Sequence, residues 1–248
     1  MEVITSRSNQ TVKLIKKLDD KKYRKQYGLF LVEGRKMIED CIRAGYKIEI
    51  IAAARSKAQE YQKYFSFAPK AVIMEDSVFE YACQTVTPQG VLAAVKFETF
   101  SPRLPQGDCV VLDGVSDAGN VGAIIRTSAA AGIKDVYLIN CADAYSPKSI
   151  RSTMGGIFFV NVYDIGYDFL DAIAQSCELI GADMYGENYL GYKKTGNTAL
   201  IIGSEANGLS NISKQKCKRF LSIPMQNVES LNAAVSAGIL IYYLKNLR

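Results

Sequence analysis

Apolar residues along this chain of 248 recur in two series, each alternating a strand-length run with a stripe at helical spacing. In the first series Val12, Ile15 and Leu18 mark one stripe of a basic helical segment, followed by the strand "GLFLVEG" and a helix over 35–44. "KIEIIAAA" is a further strand; then come a helical stretch near 57–65, the strand "KAVIME", a helix over 76–84 and the strand "GVLAAVK". Strands parted by helices at such intervals predict a small α/β sandwich.

The second series is more regular. Its strands are "CVVLDGV", "DVYLIN", "IFFVNVY", "ELIGADM", "ALIIGSE" and "RFLSIPM", with helical patterns near 120–131, 147–154, 167–176 and 211–217 and a last helix over roughly 230–246. Continuous apolar strands joined by helices predict a parallel sheet covered on both faces. Ligands of such sheets collect beyond the carboxyl ends of the strands. Between the two series, "KFETFSPRLPQGD" carries Pro102, Pro105 and Gly107 and reads as a linker. The expected organisation is a first domain over 1–96, a linker over 97–107 and a second domain over 108–248.

Composition changes this picture in three ways. The chain has no histidine, which removes the usual general base, the usual zinc ligand and every Ser-His or Cys-His nucleophile system. Its six cysteines are widely spread without a C-x-x-C pair, so neither a metal knuckle nor a redox pair is expected. Charge is uneven: residues 1–100 hold 17 Lys/Arg against 12 Asp/Glu, whereas residues 101–248 hold 13 of each. Much of the excess lies in 7–25, where Arg7, Lys13, Lys16, Lys17, Lys21, Lys22, Arg24 and Lys25 face only Asp19 and Asp20. That segment is either a solvated helix face or the contact surface for a polyanion. No apolar run approaches the ~18 residues of a membrane span, and the N-terminus lacks a signal-peptide core. A cytoplasmic protein without a membrane partner is expected.

Three strand-end loops hold the candidate chemistry. In "LDGVSDAGNVGAIIRTSAAAG" glycines flank Asn120, which suits a helix N-cap, and Arg126 lies among small and apolar residues. An arginine there is either paired internally or aimed at a ligand phosphate. Neither G-x-G-x-x-G nor G-x-x-x-x-G-K-[ST] is present, which disfavours a dinucleotide-dependent enzyme. In "ALIIGSEANGLS" the strand stops at Gly203, Glu205 stands alone in the loop, and Asn207-Gly208 signals a turn. Glu205 is either solvated or placed to accept hydrogen bonds. In "SIPMQNVESLNAAVSAGILIYYL" Ser230 is a site residue or an N-cap, and Ala233, Ala234, Ala237 and Gly238 suit close packing against another backbone.

The order of these loops resembles one known family. N-x-G-x-x-x-R at 120–126, "IIGSEANGLS" at 201–210 and "IPM…SLNAAVSAGI" at 223–239 look like the three motifs of the SpoU/TrmH branch of SPOUT methyltransferases. "SPKSIRSTMGGIF" is similar to the segment between the first two motifs. The stretch from "ITSRSNQTVKLIKK" to "EDCIRAG" resembles the RNA-binding domain, related to ribosomal protein L30e, that precedes the catalytic domain in many rRNA 2'-O-methyltransferases. The last motif departs from the usual "SLNVSVAAGI", although every polar motif position is filled.

The resemblance implies a SPOUT α/β knot, a parallel sheet with a deep trefoil knot, preceded by a small L30e-like α/β sandwich domain, in a homodimer. It implies transfer of a methyl group from S-adenosyl-L-methionine to a ribose 2'-hydroxyl of RNA, with 23S (large-subunit) rRNA as the expected partner and no metal. The cofactor would lie against Ile202, Gly203, Ile223, Met225 and Leu231, with Asn207 and Gly208 nearby. Arg126 matches the arginine that activates the hydroxyl. Because its pKa stays above ~12, holding a phosphate and stabilising the developing alkoxide is its easier task. Asn120, Glu205, Ser230 and Asn232 match the other polar positions, with Glu205 expected to hold Arg126 in place. Arg7, Lys13, Lys17, Lys21, Lys22, Arg24, Lys25 and Arg151 are the expected RNA contacts, with Tyr23 and Tyr27 beside them for stacking and Phe30 in the core. The rival readings are a tRNA 2'-O-methyltransferase and a non-catalytic RNA-binding protein that keeps the fold.

Overall fold

The computed structural model describes residues 3–97 and 101–246; residues 98–100 of the expected linker and two residues at each terminus lie outside the described part. The chain forms two compact units, Met1–Thr99 with Tyr145–Phe158 and Phe100–Ala144 with Phe159–Arg248.

The first unit runs β1 (Val3–Ile4), α1 (Gln10–Lys17), α2 (Lys21–Tyr27), β2 (Leu29–Glu33), α3 (Arg35–Arg43), β3 (Ile48–Ala54), α4 (Ala58–Tyr61), β4 (Lys70–Met74), α5 (Asp76–Ala82) and β5 (Val91–Lys96). Its sheet has the order β1-β4-β3-β5-β2, with β4 parallel to β1 and β3 and with β5 antiparallel to β3 and β2. Alternation along β2 sends Leu29 and Leu31 into a core shared with Val12 and Ile15 of α1 and Val78 and Phe79 of α5. Phe30 faces the other way and meets the rings of Phe97, Tyr145 and Phe158.

The single basic helix expected near the N-terminus is two helices. Asn9 caps α1 by accepting from the Thr11 N–H, and Asp20 caps α2 by accepting from the Lys22 N–H. Gly28, at φ +64, closes α2 in the left-handed conformation that glycine tolerates best. A second cap so soon after the first breaks a helix whose apolar stripe alone looked continuous.

The chain then continues through β6 (Cys109–Asp113), α6 (Ala118–Ala130) and β7 (Asp135–Ile139) before returning to the first unit over Tyr145–Phe158 with α7 (Pro147–Thr153). This excursion explains why the expected strand "IFFVNVY" starts late. Phe158 packs on Phe30 and Tyr46 of the first unit, and only Asn161–Asp164 joins the second sheet, as β8. α8 (Phe169–Ile173), β9 (Glu178–Asn188), β10 (Thr198–Gly203), α9 (Asn211–Lys216), β11 (Arg219–Ser222) and α10 (Ala233–Asn246) complete the second unit.

The second sheet has the order β11-β9-β10-β6-β7-β8, and every pair in it is parallel. One face buries Cys109, Val111, Tyr137 and Ile201 under Leu170 and Ile173 of α8. α10 packs against α6 and β10, and a Cβ built on Gly238 would come within 3.9 Å of Thr127 Cγ2. That is ordinary van der Waals distance, so the packing of α10 beside α6 does not require glycine at 238. From β6 the chain moves outward through β7 and β8, then crosses to β9 on the opposite side. The strand order therefore reverses between β6 and β10, and their carboxyl ends flank the crevice where ligands of such sheets bind.

Candidate active site

The loop after β10 is shaped by backbone before any side chain contributes. Ser204 and Gly208 exchange two backbone hydrogen bonds of 2.9 and 3.0 Å, and Gly208 takes φ +63. A Cβ on Gly203 would stand 2.1 Å from the Gly208 carbonyl carbon, so only glycine fits there. From below, the buried Asp113 at the end of β6 accepts from the Ser210 N–H at 2.8 Å and from the Tyr167 hydroxyl at 2.8 Å. The loop is therefore fastened at both ends.

Glu205, at its tip, reaches the loop after β6. It accepts from Asn120 Nδ2 at 2.8 Å, from the Ser116 N–H and hydroxyl at 3.2 Å, and from the Asp117 N–H at 3.4 Å. Partial burial pushes its carboxyl up, but the hydrogen bonds from Asn120 and from backbone N–H groups outweigh burial and leave it below the usual glutamate range. A lowered carboxylate keeps its ties at neutral pH and loses them only as pH falls through its folded-state value.

A carboxylate only accepts, and this gives the whole network a direction. Asn120 must present its amide nitrogen to Glu205, so its oxygen faces Asn232, whose Nδ2 donates to it at 3.0 Å. The Asn232 oxygen is then left to accept from the Ala234 and Val235 N–H groups at the start of α10. Two cap assignments change as a result. Asp117, not Asn120, caps α6, by accepting from the Asn120 N–H at 3.0 Å. Asn232, not Ser230, caps α10, which starts at Ala233 rather than near 230.

Arg126 does not join this network. It is exposed on α6, and among the described residues it forms no ion pair, so the expected hold by Glu205 is not what the structure shows. Arg126 stands six positions after Asn120 on the helix, which turns the two side chains ~120° apart.

Beside the network lies a pocket of about 650 Å³ at the carboxyl ends of β9, β10 and β11, closed by the start of α10. All seven residues expected to face a cofactor line it, and so do Glu205, Ser230 and Asn232. Asp183, Met184, Tyr185, Lys214 and Glu229 line it as well. They belong to no motif, and only their position after a strand hinted at them. Among the described residues no group of three or more Cys, Asp or Glu side chains is arranged to hold a metal ion. No described helix is long and apolar enough to cross a membrane.

On the first unit, Arg7, Lys13, Lys17, Lys21, Lys22 and Lys25 are exposed, and so is Arg151 on α7. Arg24 is the exception: it is 3% exposed, and its guanidinium donates to the Leu18 and Asp19 carbonyls at 2.7 Å, closing the end of α1. It is a structural residue rather than a phosphate contact. Aromatic rings lie among the cations. Lys17 sits 5.2 Å over Tyr23, which stacks on Tyr27, and Arg7 sits 4.7 Å over Tyr81 of α5. Tyr81, 43% exposed, joins the patch from a helix that the local sequence does not connect to it.

Comparison with known proteins agrees with this geometry. Residues 108–242 match the model of the SpoU rRNA Methylase family, and residues 9–93 match the MRM3-like substrate binding domain. The chain is 31% identical to the 23S rRNA (guanosine(2553)-2'-O)-methyltransferase RlmP of Bacillus subtilis, over 99% of this chain and 100% of that protein. It is 29% identical to a 23S rRNA (uridine(2479)-2'-O)-methyltransferase of Streptomyces viridochromogenes, over 96% and 90% of the two chains. Among solved structures, the AdoMet-bound rRNA methyltransferase from Sinorhizobium meliloti superposes with a TM-score of 0.88 at 27% identity, covering 98% of this chain and 97% of that one. The SpoU methyltransferase AviRb from S. viridochromogenes, in complex with AdoMet, gives 0.86 at 26% identity, covering 96% and 97%. With more than half of its length under that family model and a relative matched end to end, the chain belongs to the SpoU rRNA methylase family.

Proposed function

We propose that this protein transfers the methyl group of S-adenosyl-L-methionine to a ribose 2'-hydroxyl of large-subunit (23S) ribosomal RNA in the cytoplasm. The observation that carries the reading is the convergence of the three motif loops: Glu205, Asn120 and Asn232 form one directed chain of hydrogen bonds at the edge of a pocket lined by all seven expected cofactor residues.

The pocket's chemistry fits that donor. Its volume of about 650 Å³ falls in the ~300–1,000 Å³ range of small-molecule sites. Ile202, Ile223 and Leu231 offer apolar walls for an adenine ring, and Glu205 and Glu229 offer negative charge toward a cationic ligand. When bound, S-adenosyl-L-methionine would supply an electrophilic methyl group; the 2'-oxygen that takes it in line gives up its proton to solvent water, and S-adenosylhomocysteine leaves. The residues of the chain do the rest. The loop made narrow by Gly203 and the α10 start carrying Leu231 set the cofactor's position, and alignment alone removes a large part of the barrier. Asn120 and Glu205 hold the β6–α6 loop rigid against the β10 loop. Arg126, exposed and without an ion-pair partner among the described residues, binds the phosphate beside the target ribose and stabilises charge developing on its 2'-oxygen.

The reading also includes a homodimer and a trefoil knot. Val235 and Tyr242, 50% and 47% exposed and seven residues apart on α10, form an apolar strip that a second copy would cover. In the first unit, the exposed lysines and the rings of Tyr23, Tyr27 and Tyr81 bind RNA. That separate substrate-binding unit favours ribosomal RNA over tRNA, and the filled polar motif positions favour an enzyme over a non-catalytic RNA binder.

Incubating the purified protein with methyl-labelled S-adenosylmethionine and ribosomal RNA from cells lacking the gene tests this. Labelled 2'-O-methylnucleotides are expected, and Arg126→Ala should lower turnover by about 10²- to 10³-fold with the melting temperature unchanged. Equal turnover in that variant removes Arg126 from the chemistry.

A further inference from the structure

β9 is longer than its neighbours require. It pairs with β10 as far as Gly181, and its register against β11 jumps from Gly181 opposite Phe220 to Glu187 opposite Leu221. Residues 182–186 therefore have no register partner on β11 and form a five-residue bulge, an arch within the strand.

The arch is built to hold its shape. On one side the Asp183 carboxylate accepts from the Tyr185 N–H at 3.0 Å and pairs with Lys214 of α9 at 3.3 Å. On the other side Gly186 lies flat on β11, where a Cβ would come within 2.5 Å of Phe220 backbone atoms. At the tip between these anchors are two large side chains, Met184 and Tyr185, which are 51% and 89% exposed and line the mouth of the pocket. Among the described residues the Tyr185 ring has no ring or cation partner.

A ring exposed to that degree does not form the wall of an enclosed cofactor site. A flat, amphipathic ring on a rigid support, beside a site where a ribose must enter, suits another planar group. RNA is recognised at unpaired positions by stacking its splayed bases on such rings. We infer that the 182–186 arch is a nucleobase-binding subsite in which Tyr185 stacks on an unpaired base at or beside the target nucleotide. The methionine alongside provides a soft, adaptable flank that fits more than one base. This rests on the RNA-methylation reading above.

The test uses the full-length protein, ribosomal RNA from a strain lacking the gene, and S-adenosylhomocysteine as the cofactor probe. Tyr185→Ala should raise KM for the RNA about tenfold, as loss of one stacked base does, and leave the calorimetric affinity for S-adenosylhomocysteine unchanged. Tyr185→Phe should restore KM, because stacking needs the ring and not the hydroxyl. An unchanged KM, a loss of cofactor affinity that tracks KM, or a Phe variant as poor as the Ala variant overturns the subsite. If the wild type transfers no methyl group, the functional reading fails on its own. Photocross-linking of the same RNA, mapped by mass spectrometry, then decides the arch: a nucleotide on Tyr185 supports it, and cross-links elsewhere only overturn it.

Discussion

The two units meet their ligands with different physics. The three-loop site of the second unit is built from directed hydrogen bonds around one carboxylate, each partner's orientation forced by the one before it. The surface of the first unit is built from separate cations over exposed and half-buried rings, with little to fix each side chain. The first arrangement depends on geometry. The second attracts a polyanion at long range, and salt screens it. The contrast suits a division in which one unit aligns a reaction and the other gathers its substrate.

The sharpest way to break the contrast is to cut the hydrogen-bond chain at its middle. Asn120→Ala leaves both Glu205 and Asn232 without that partner and should lower turnover about 10²-fold, the scale of losing one positioned donor at a reacting site. Filter binding should show RNA affinity unchanged. A large loss of RNA affinity in this variant would mean that the site gathers RNA as well as aligning it.

Next in size is Arg24, which looks in the sequence like any other member of the basic run. Its truncation leaves the Leu18 and Asp19 carbonyls without their donor, at a cost of about 1–3 kcal/mol. A lowered melting temperature with an unaltered salt dependence of RNA binding is expected. Smaller still is the effect of Lys17→Ala combined with Lys22→Ala. RNA affinity should fall about tenfold at low salt, and the slope of log affinity on log salt should flatten by ~0.7 for each phosphate that is no longer neutralised, with kcat unchanged. A salt slope that moves with Arg24 and not with the lysines inverts the assignment.

The sequence made the sheet, its parallel sense and the three loops readable, because apolar runs and loop order are local features. The seven residues expected to face a cofactor come from motif order, and all line one pocket. What was not readable depends on distance in space. Arg24 has the same local pattern as Lys22 and Lys25, and only the turn between α1 and α2 aims it inward. Asn120 reads as a helix cap until Asp117, three residues earlier, takes that role and frees the asparagine for Glu205. The partnership assigned to Arg126 failed for the same reason: charge complementarity suggests the pair, but helical phase sets Asn120 toward Glu205 instead. The arch at 182–186 was invisible because "ELIGADM" continues as a strand in pattern, and the register jump belongs to its neighbour β11.

The three-loop site is proposed to methylate a ribose in large-subunit rRNA. Mapping 2'-O-methylated positions in total RNA from cells with the gene, without it, and without it but expressing Arg126→Ala tests this most directly. A modified position in 23S rRNA should vanish on deletion, return with the wild-type gene and stay absent with the variant. An unchanged map, or a loss confined to tRNA, would contradict the claim.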